Sequence, residues 1–248
     1  MKVNVVKDIE ELSLVAAKRM IEKVRRQPTT VLGLATGSTP LGTYRKLVQD
    51  FQENRTSYKH VTTFNLDEYV GLAATDKNSY HYYMNDHLFG QININQAQTF
   101  LPNGAGVDPS EECLRYEEKI RQSGGIDLQI LGLGENGHIG FNEPGTSFSS
   151  QTHVVTLAET TRVANSRYFP SLADVPTEAI TMGIETIMKA REILLLVSGE
   201  KKAKALREVI EGSVSETVPA TVLRNHPNIT IIADEASVKC LTKEYQTL

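Results

Sequence analysis

Cysteine is scarce: two residues in 248, Cys113 and Cys240. They stand far apart, with no C-x-x-C pair and no Cys/His cluster, so neither a disulfide framework nor a zinc or other metal site is indicated. Long apolar runs are missing as well. The longest, Ile193 to Val197, has the length of a strand and falls far short of the roughly 20 residues that a membrane-spanning helix needs. The N-terminal MKVNVVKDIEELS shows no charged, then apolar, then small-residue layout, which argues against a signal or transit peptide. The expectation is a cytoplasmic protein with no membrane partner. Positive charge is not in excess either: 26 Lys and Arg against 30 Asp and Glu leave a net charge of −4. That balance supplies no basic field for nucleic acid, and any anion must be held locally. Internal repeats, low-complexity tracts and linkers are absent, so the chain reads as one domain over 1–248.

What is present is a composition of 40% hydrophobic and 23% charged residues, enough for a large core. Strand-like and helix-like stretches alternate. This is the pattern of an α/β fold, here a Rossmann-like open and mostly parallel sheet with helices on both faces. After the strand VNVV, Asp8 followed by Glu11 marks a helix start, and Ile9, Leu12, Ala16, Met20 and Val24 recur at helical spacing up to about Arg26. The strand Thr30 to Thr36 runs into a helix that Thr39 can cap, with Pro40 in its first turn. The strand Val61 to Leu66 stops at Asp67-Glu68, and SYHYYMNDHLF reads as helical. Further on come the helix EECLRYEEKIRQSGG, the strand IDLQILGLG, the strand EILLLVSG with the helix EKKAKALREVIEG, and a last strand NITIIAD. The least regular stretch, about 160–181, is expected to be a mobile lid.

Two loops carry the chemistry. In GLGENGHIGFNEPGT, Gly132, Gly134 and Gly137 match the G-x-G-x-x-G of dinucleotide-binding folds, which also require a helix directly afterwards. The continuation through Gly140, Pro144 and Gly145 would break that helix. The stretch therefore reads either as a tight turn with His138 packed locally, or as a loop holding His138 and Glu143 for catalysis, without a nucleotide cofactor. The other loop, ATGSTPLGTY, joins a strand to a helix, so the amides of Gly37, Ser38 and Thr39 suit a phosphate. It lacks the Gly-Lys-Ser/Thr ending of a nucleotide P-loop. A small-molecule monophosphate fits better, the alternative being a plain capped turn. Strand-end loops at Gly37–Thr39, Asp67-Glu68, His138 and Ser198-Gly199 can converge on one crevice.

GLATGSTP, FNLDEYVGL, NSYHYYMN, GLGENGHIGFNEPGTSF, TRVANSRYF and VSGEKKAKAL together resemble the glucosamine-6-phosphate deaminase family, in order and spacing, over almost the whole chain. The resemblance implies conversion of glucosamine 6-phosphate and water to fructose 6-phosphate and ammonium, with no metal or organic cofactor. It makes Asp67 the base that takes the C2 proton, His138 the acid/base of ring opening, and Glu143 the carboxylate that orients its imidazole. Asn136 stands where part of the family carries an aspartate, and an amide orients without accepting a proton. Arg167 and Lys202 match a cationic clamp that adds charge to the Gly37–Ser38–Thr39 amides. Taken singly, Asp67 reads more readily as a helix or turn cap, Glu143 as a solvated acid, and Arg167 and Lys202 as surface cations. Lys201 and Lys204 read as solvated charge.

Two rivals share the fold: a 6-phosphogluconolactonase-like hydrolase, which needs no carbon base at Asp67, and a non-catalytic sugar-phosphate sensor, which needs none of Asp67, His138 and Glu143. The resemblance also bears on regulation. Hexameric members respond to N-acetylglucosamine 6-phosphate through an arginine and a lysine after the GFNEP loop. The matching positions here are His153 and Val155, placing the chain with the shorter, non-allosteric branch as a monomer or small homo-oligomer.

Overall fold

Asp8 caps the first helix with its own carboxylate, which accepts the N–H groups of Glu10 and Glu11 at 3.0 Å. In the computed structural model, which describes residues 1–106, 108–243 and 245, β1 (Lys2–Val6) leads through that cap into α1 (Ile9–Arg26). Leu12, Ala16, Met20 and Val24 are buried, one residue per helical turn on a single face. Then follow β2 (Val31–Leu34), α2 (Ser38–Asn54), β3 (Thr62–Asn65), β4 (Asp67–Tyr69), α3 (Tyr80–His87), β5 (Thr99–Phe100), α4 (Pro109–Gln122) and β6 (Leu128–Gly132). The chain continues through β7 (His153–Thr156), α5 (Glu159–Asn165), β8 (Glu178–Thr181), α6 (Ile184–Met188), β9 (Ile193–Val197), α7 (Ala203–Glu211) and β10 (Ile229–Asp234).

Seven strands form one sheet in the order β1-β10-β9-β6-β2-β3-β5, and every pair in it is parallel. Every residue of β9 is buried, as expected for a central strand covered on both faces. From β2 the chain builds outward through β3 to β5, whereas β6 lies on the other side of β2 and continues to β9 and β10. The adjacent carboxyl ends of β2 and β6 are thus a topological switch point, where an open α/β sheet leaves a crevice for ligand.

Three local expectations change. The second helix starts at Ser38 with Gly37 as its N-cap, and no side chain caps it; Thr39 lies inside the first turn. Gly37 adopts φ 100°, a left-handed conformation that glycine takes without strain, so the chain turns into the helix without a side-chain cap. Second, β3 stops before Asp67 as expected, but Asp67-Glu68 begins another strand. The Leu66 N–H still donates to Leu34 O of the parallel sheet at 3.0 Å, while its carbonyl accepts from Met182 N–H at 2.6 Å. There the chain crosses into a three-stranded sheet, β4-β8-β7, antiparallel throughout.

Third, the stretch 160–181 is not irregular to its end. It carries α5, short 3-10 turns at Ser166–Tyr168 and Leu172–Asp174, and finally β8, where Ala179, Ile180 and Thr181 are fully buried. β8 is the middle strand of the small sheet, and its partners come from positions 67–69 and 153–156. Pairing at such separation leaves no local signature. A second, smaller core of Tyr69, Phe141, Leu157, Phe169, Val175 and Ala179 lies beside this sheet. Among the described residues no helix is long and apolar enough to cross a membrane.

Candidate active site

The switch point opens into a cavity of about 1070 Å³. Its walls come from the Gly37–Leu41 turn after β2, from Asp67 and Tyr69 of β4, from α3, from the loop after β6, from the α5 segment and from Lys201-Lys202 before α7.

Strand alternation decides the roles of the two acids on β4. Asp67 is buried yet lines the cavity, and burial, with the Glu68 carboxylate next in importance, pushes its pKa up to about 8. Glu68 points to the opposite face. One of its oxygens accepts the N–H groups of Tyr69 (2.9 Å) and Tyr80 (3.0 Å). The other accepts from His81 N–H at 3.0 Å and lies 2.8 Å from the His81 ring. Glu68 therefore ties the strand that carries Asp67 to the N-terminus of α3.

Around His138 the contacts form a relay. Nδ1 lies 2.8 Å from Asn136 Oδ1, Asn136 Nδ2 donates to Glu143 Oε2 at 2.7 Å, and that oxygen is 3.6 Å from Nδ1. Because the Asn136 oxygen also accepts the His138 backbone N–H at 3.2 Å, the proton belongs on Nδ1 and Nε2 keeps its lone pair. Glu143 lies behind the relay and does not line the cavity; its other oxygen accepts from Thr161 Oγ1 at 2.6 Å. Burial raises its pKa, but the neighbouring His138 imidazole and the hydrogen bonds from Thr161 and Asn136 outweigh that and hold it at about 2.

The G-x-G-x-x-G stretch serves this histidine. No helix intervenes between β6 and β7, so the architecture that receives a pyrophosphate is absent from the described residues there. Gly134 instead leaves the space that the imidazole occupies: a Cβ there would fall 2.3 Å from His138 Nδ1, and the loop closes through Gly134 N–H donating to His138 O at 2.9 Å.

Opposite lies a cationic cradle. Uncapped at its N-terminus, α2 directs first-turn amides into the cavity, and Tyr83 Oη donates to Gly37 O at 2.7 Å, holding the turn. Arg167 and Lys202 both line the same space. The pKa of Lys202 is lowered, first by burial and then by the like charges of Lys201 and Arg167, against an opposing pull from Glu135. Cations gathered at such a cost call for an anion between them. Lys201, read as solvated charge, is exposed but belongs to the cavity wall; Lys204 is exposed outside it. Ser198 and Gly199 do not reach the cavity, because both are engaged by the Asp234 carboxylate (Ser198 Oγ at 2.5 Å).

The structure thus brings Gly37, Ser38, Thr39, Asp67, Asn136, His138, Arg167 and Lys202 to one space, with Glu143 directly behind. Sequence reasoning missed the aromatic wall, where Tyr69 and Phe169 meet edge-on at 5.7 Å and Tyr80 stacks on Phe141. It also missed Thr161 and Asn165. The aromatic spacing in SYHYYMN was the available signal for Tyr80; TRVANSRYF contains Thr161 and Asn165, but nothing local to it points them at Glu143 and Tyr69.

An open α/β sheet whose switch-point cavity gathers a buried carboxyl group, a hydrogen-bonded imidazole and cations beside a helix N-terminus has the make-up of an enzyme that handles phosphorylated small molecules. The chain belongs to the family of glucosamine-6-phosphate isomerases and 6-phosphogluconolactonases, whose model matches residues 7–232. Glucosamine-6-phosphate deaminase of Geobacillus sp. (strain WCH70) is 57% identical over 98% of this chain and 97% of its own length. Glucosamine-6-phosphate deaminase 1 of Bacillus subtilis (strain 168) is 52% identical over 94% and 97%. A solved structure of a monomeric glucosamine-6-phosphate deaminase superposes with a TM-score of 0.95 at 50% identity, covering 97% of this chain and 100% of that one. The 6-phosphogluconolactonase of Trypanosoma brucei shares the fold, at TM-score 0.76 and 20% identity over 97% and 98%.

Proposed function

We propose that this chain is a glucosamine-6-phosphate deaminase, converting glucosamine 6-phosphate and water to fructose 6-phosphate and ammonium. The observation that carries the reading is a carboxyl group buried in the same cavity as the imidazole relay and the cationic cradle. Hydrolysing a lactone calls for no base at carbon, whereas moving a proton off C2 does. The near-full-length relatives above 50% identity favour the deaminase reading over the lactonase one.

The chemistry follows from the groups present. Arg167, Lys202 and the Gly37–Thr39 amides hold the phosphate and so orient the sugar toward Asp67 and His138. His138 Nε2, free to accept a proton, takes one from the C1 hydroxyl, and the imidazolium returns it to the ring oxygen as the ring opens. Asn136 and Glu143 hold the ring and stabilise its charged form. Asp67 then removes the C2 proton to give the enolamine and returns it at C1, leaving an imine at C2. Water adds to that carbon and ammonia leaves.

A base whose pKa is about 8 is largely protonated in the empty site at neutral pH. The substrate supplies the correction: its C2 ammonium enters beside Asp67, and an opposite charge at that range favours the carboxylate. The test is ammonia release measured with glucosamine 6-phosphate, alongside turnover of 6-phosphogluconolactone and ribose 5-phosphate. Ammonia from the first with no turnover of the others is expected; lactone hydrolysis without ammonia release overturns the assignment.

A further inference from the structure

The α5 segment touches the site at three residues spaced by four, Thr161, Asn165 and Phe169. Thr161 Oγ1 donates to Glu143 Oε1 at 2.6 Å. Asn165 Nδ2 donates to Tyr69 Oη at 2.9 Å, beside Asp67 on β4. Phe169 is buried in the small core against the Tyr69 ring. Between the last two, the 3-10 turn Ser166–Tyr168 carries Arg167 into the cavity. Elsewhere in the segment Val163 is exposed, the N-cap of α5, Ala158, has no side chain that could cap it, and Arg162 Nη2 donates to Leu172 O and Val175 O at 3.1 Å. Thr161 is the residue of the segment that meets the Glu143 carboxylate, and Arg167 extends from the turn beyond it into the cavity.

We propose that Thr161 is a positioning residue that couples occupation of the phosphate cradle to the His138–Asn136–Glu143 relay. The reading rests on the deaminase assignment. Glu143 has two oxygens to satisfy: Oε2 faces Asn136 and His138, and Oε1 has Thr161. Asn136 and Thr161 are neutral, so among the described residues His138 is the titratable partner set against this carboxylate. Fixing Oε1 keeps the carboxylate plane oriented so that Oε2 meets Asn136. A phosphate bound by Arg167 holds the turn six residues beyond Thr161, and α5 carries that constraint back to the Glu143 contact. A substrate lacking the phosphate would not add this constraint to the Thr161–Glu143 contact, so part of the phosphate's binding energy acts on ring opening, remote from the phosphate itself.

Thr161→Val removes the hydroxyl at constant shape, and Thr161→Ser keeps it. With glucosamine 6-phosphate, Thr161→Val is expected to lower kcat about ten-fold with KM within two-fold of wild type, and Thr161→Ser to restore kcat to within about two-fold. A melting temperature unchanged by Thr161→Val separates positioning from misfolding. Independently of turnover, NMR of the His138 ring in the intact protein is followed while inorganic phosphate is added. Phosphate should displace the His138 signals in wild type and in Thr161→Ser, and by less than half as much in Thr161→Val. Equal displacement in all three proteins, or a kcat for Thr161→Val within two-fold of wild type, overturns the coupling. If wild type releases no ammonia from glucosamine 6-phosphate, the proposed reaction fails, and the phosphate titration still decides the coupling.

Discussion

At the residue scale, Asp67 carries the sharpest expectations. Asp67→Asn keeps the shape and cannot take a proton, so kcat should fall at least about 100-fold, the low end of a general-base contribution, while affinity for a non-reacting substrate analogue is retained. The variant also tests the raised pKa. Between the ordinary value of 3.8 and about 8, the native state keeps a proton that the unfolded chain has lost, so stability declines as pH rises through that window and the cost is complete above it. Asp67→Asn removes this term. Its melting temperature should therefore exceed that of wild type by a margin that widens from pH 5 to pH 9; a constant margin would show that Asp67 titrates normally. For the relay, His138→Gln and Glu143→Gln should each slow turnover. Because imidazole, amide and carboxylate act as one unit, the double variant should be little worse than the poorer single one. Full additivity would separate the two residues.

At the scale of elements, the loop after β6 and the uncapped start of α2 carry the argument. Gly134→Ala would set a methyl group within 2.4 Å of three His138 ring atoms, so the imidazole must swing away from Asn136. The fold should survive, since the obstacle is a side chain and not backbone, while kcat drops by an order of magnitude or more; unchanged kinetics would place the functional ring elsewhere. Arg167 and Lys202 reach the cradle from different elements. Losing either charged contact is expected to weaken phosphate-dependent affinity by about 1.5–3 kcal/mol, seen as a raised KM, with unphosphorylated glucosamine a very poor substrate. Equal kcat/KM for sugar and sugar phosphate would remove the clamp. Much of this was readable in advance, because Gly37, Ser38 and Thr39 sit in a strand–turn–helix pattern and NSRYF and GEKKAK carry the cations. The misplacement of the α2 cap has a definite cause: sequence rules place a Ser/Thr side chain at the N-cap, whereas here Gly37 leaves the amides open.

At the scale of the whole molecule, the residues assigned to chemistry and to phosphate lie in one chain around one cavity. Specific activity should therefore stay constant as the enzyme is diluted, and a loss on dilution would reveal a partner's contribution. The positions that matched an effector-phosphate site carry an imidazole and an apolar side chain in place of two cations. His153 Nδ1 is 2.8 Å from Gln151 O, and Val155 packs against the small core. An effector with no differential affinity shifts no equilibrium. Initial rates should be hyperbolic in glucosamine 6-phosphate and unaffected by N-acetylglucosamine 6-phosphate; a sigmoidal curve that the acetylated sugar straightens would expose an effector site.

The sequence by itself determined what depends on neighbours along the chain: the α/β alternation, the Asp8 cap and one-per-turn stripe of α1, the glycines that leave room for an imidazole, and the residue types gathered in each motif. Tertiary structure alone decided what depends on separation. Only the handover at Leu66 from the parallel sheet to the antiparallel one turns Asp67 into the cavity and Glu68 toward α3. Only the pairing of β8 with β4 and β7 converts the end of a stretch that reads as loop into a buried strand. Only the docking of α5 sets Thr161 against Glu143 and Asn165 against Tyr69. Helix and turn preferences act over a few residues, whereas strand pairing and side-chain contact join positions more than a hundred residues apart, such as Asp67 and Thr181, and no local pattern encodes those partners.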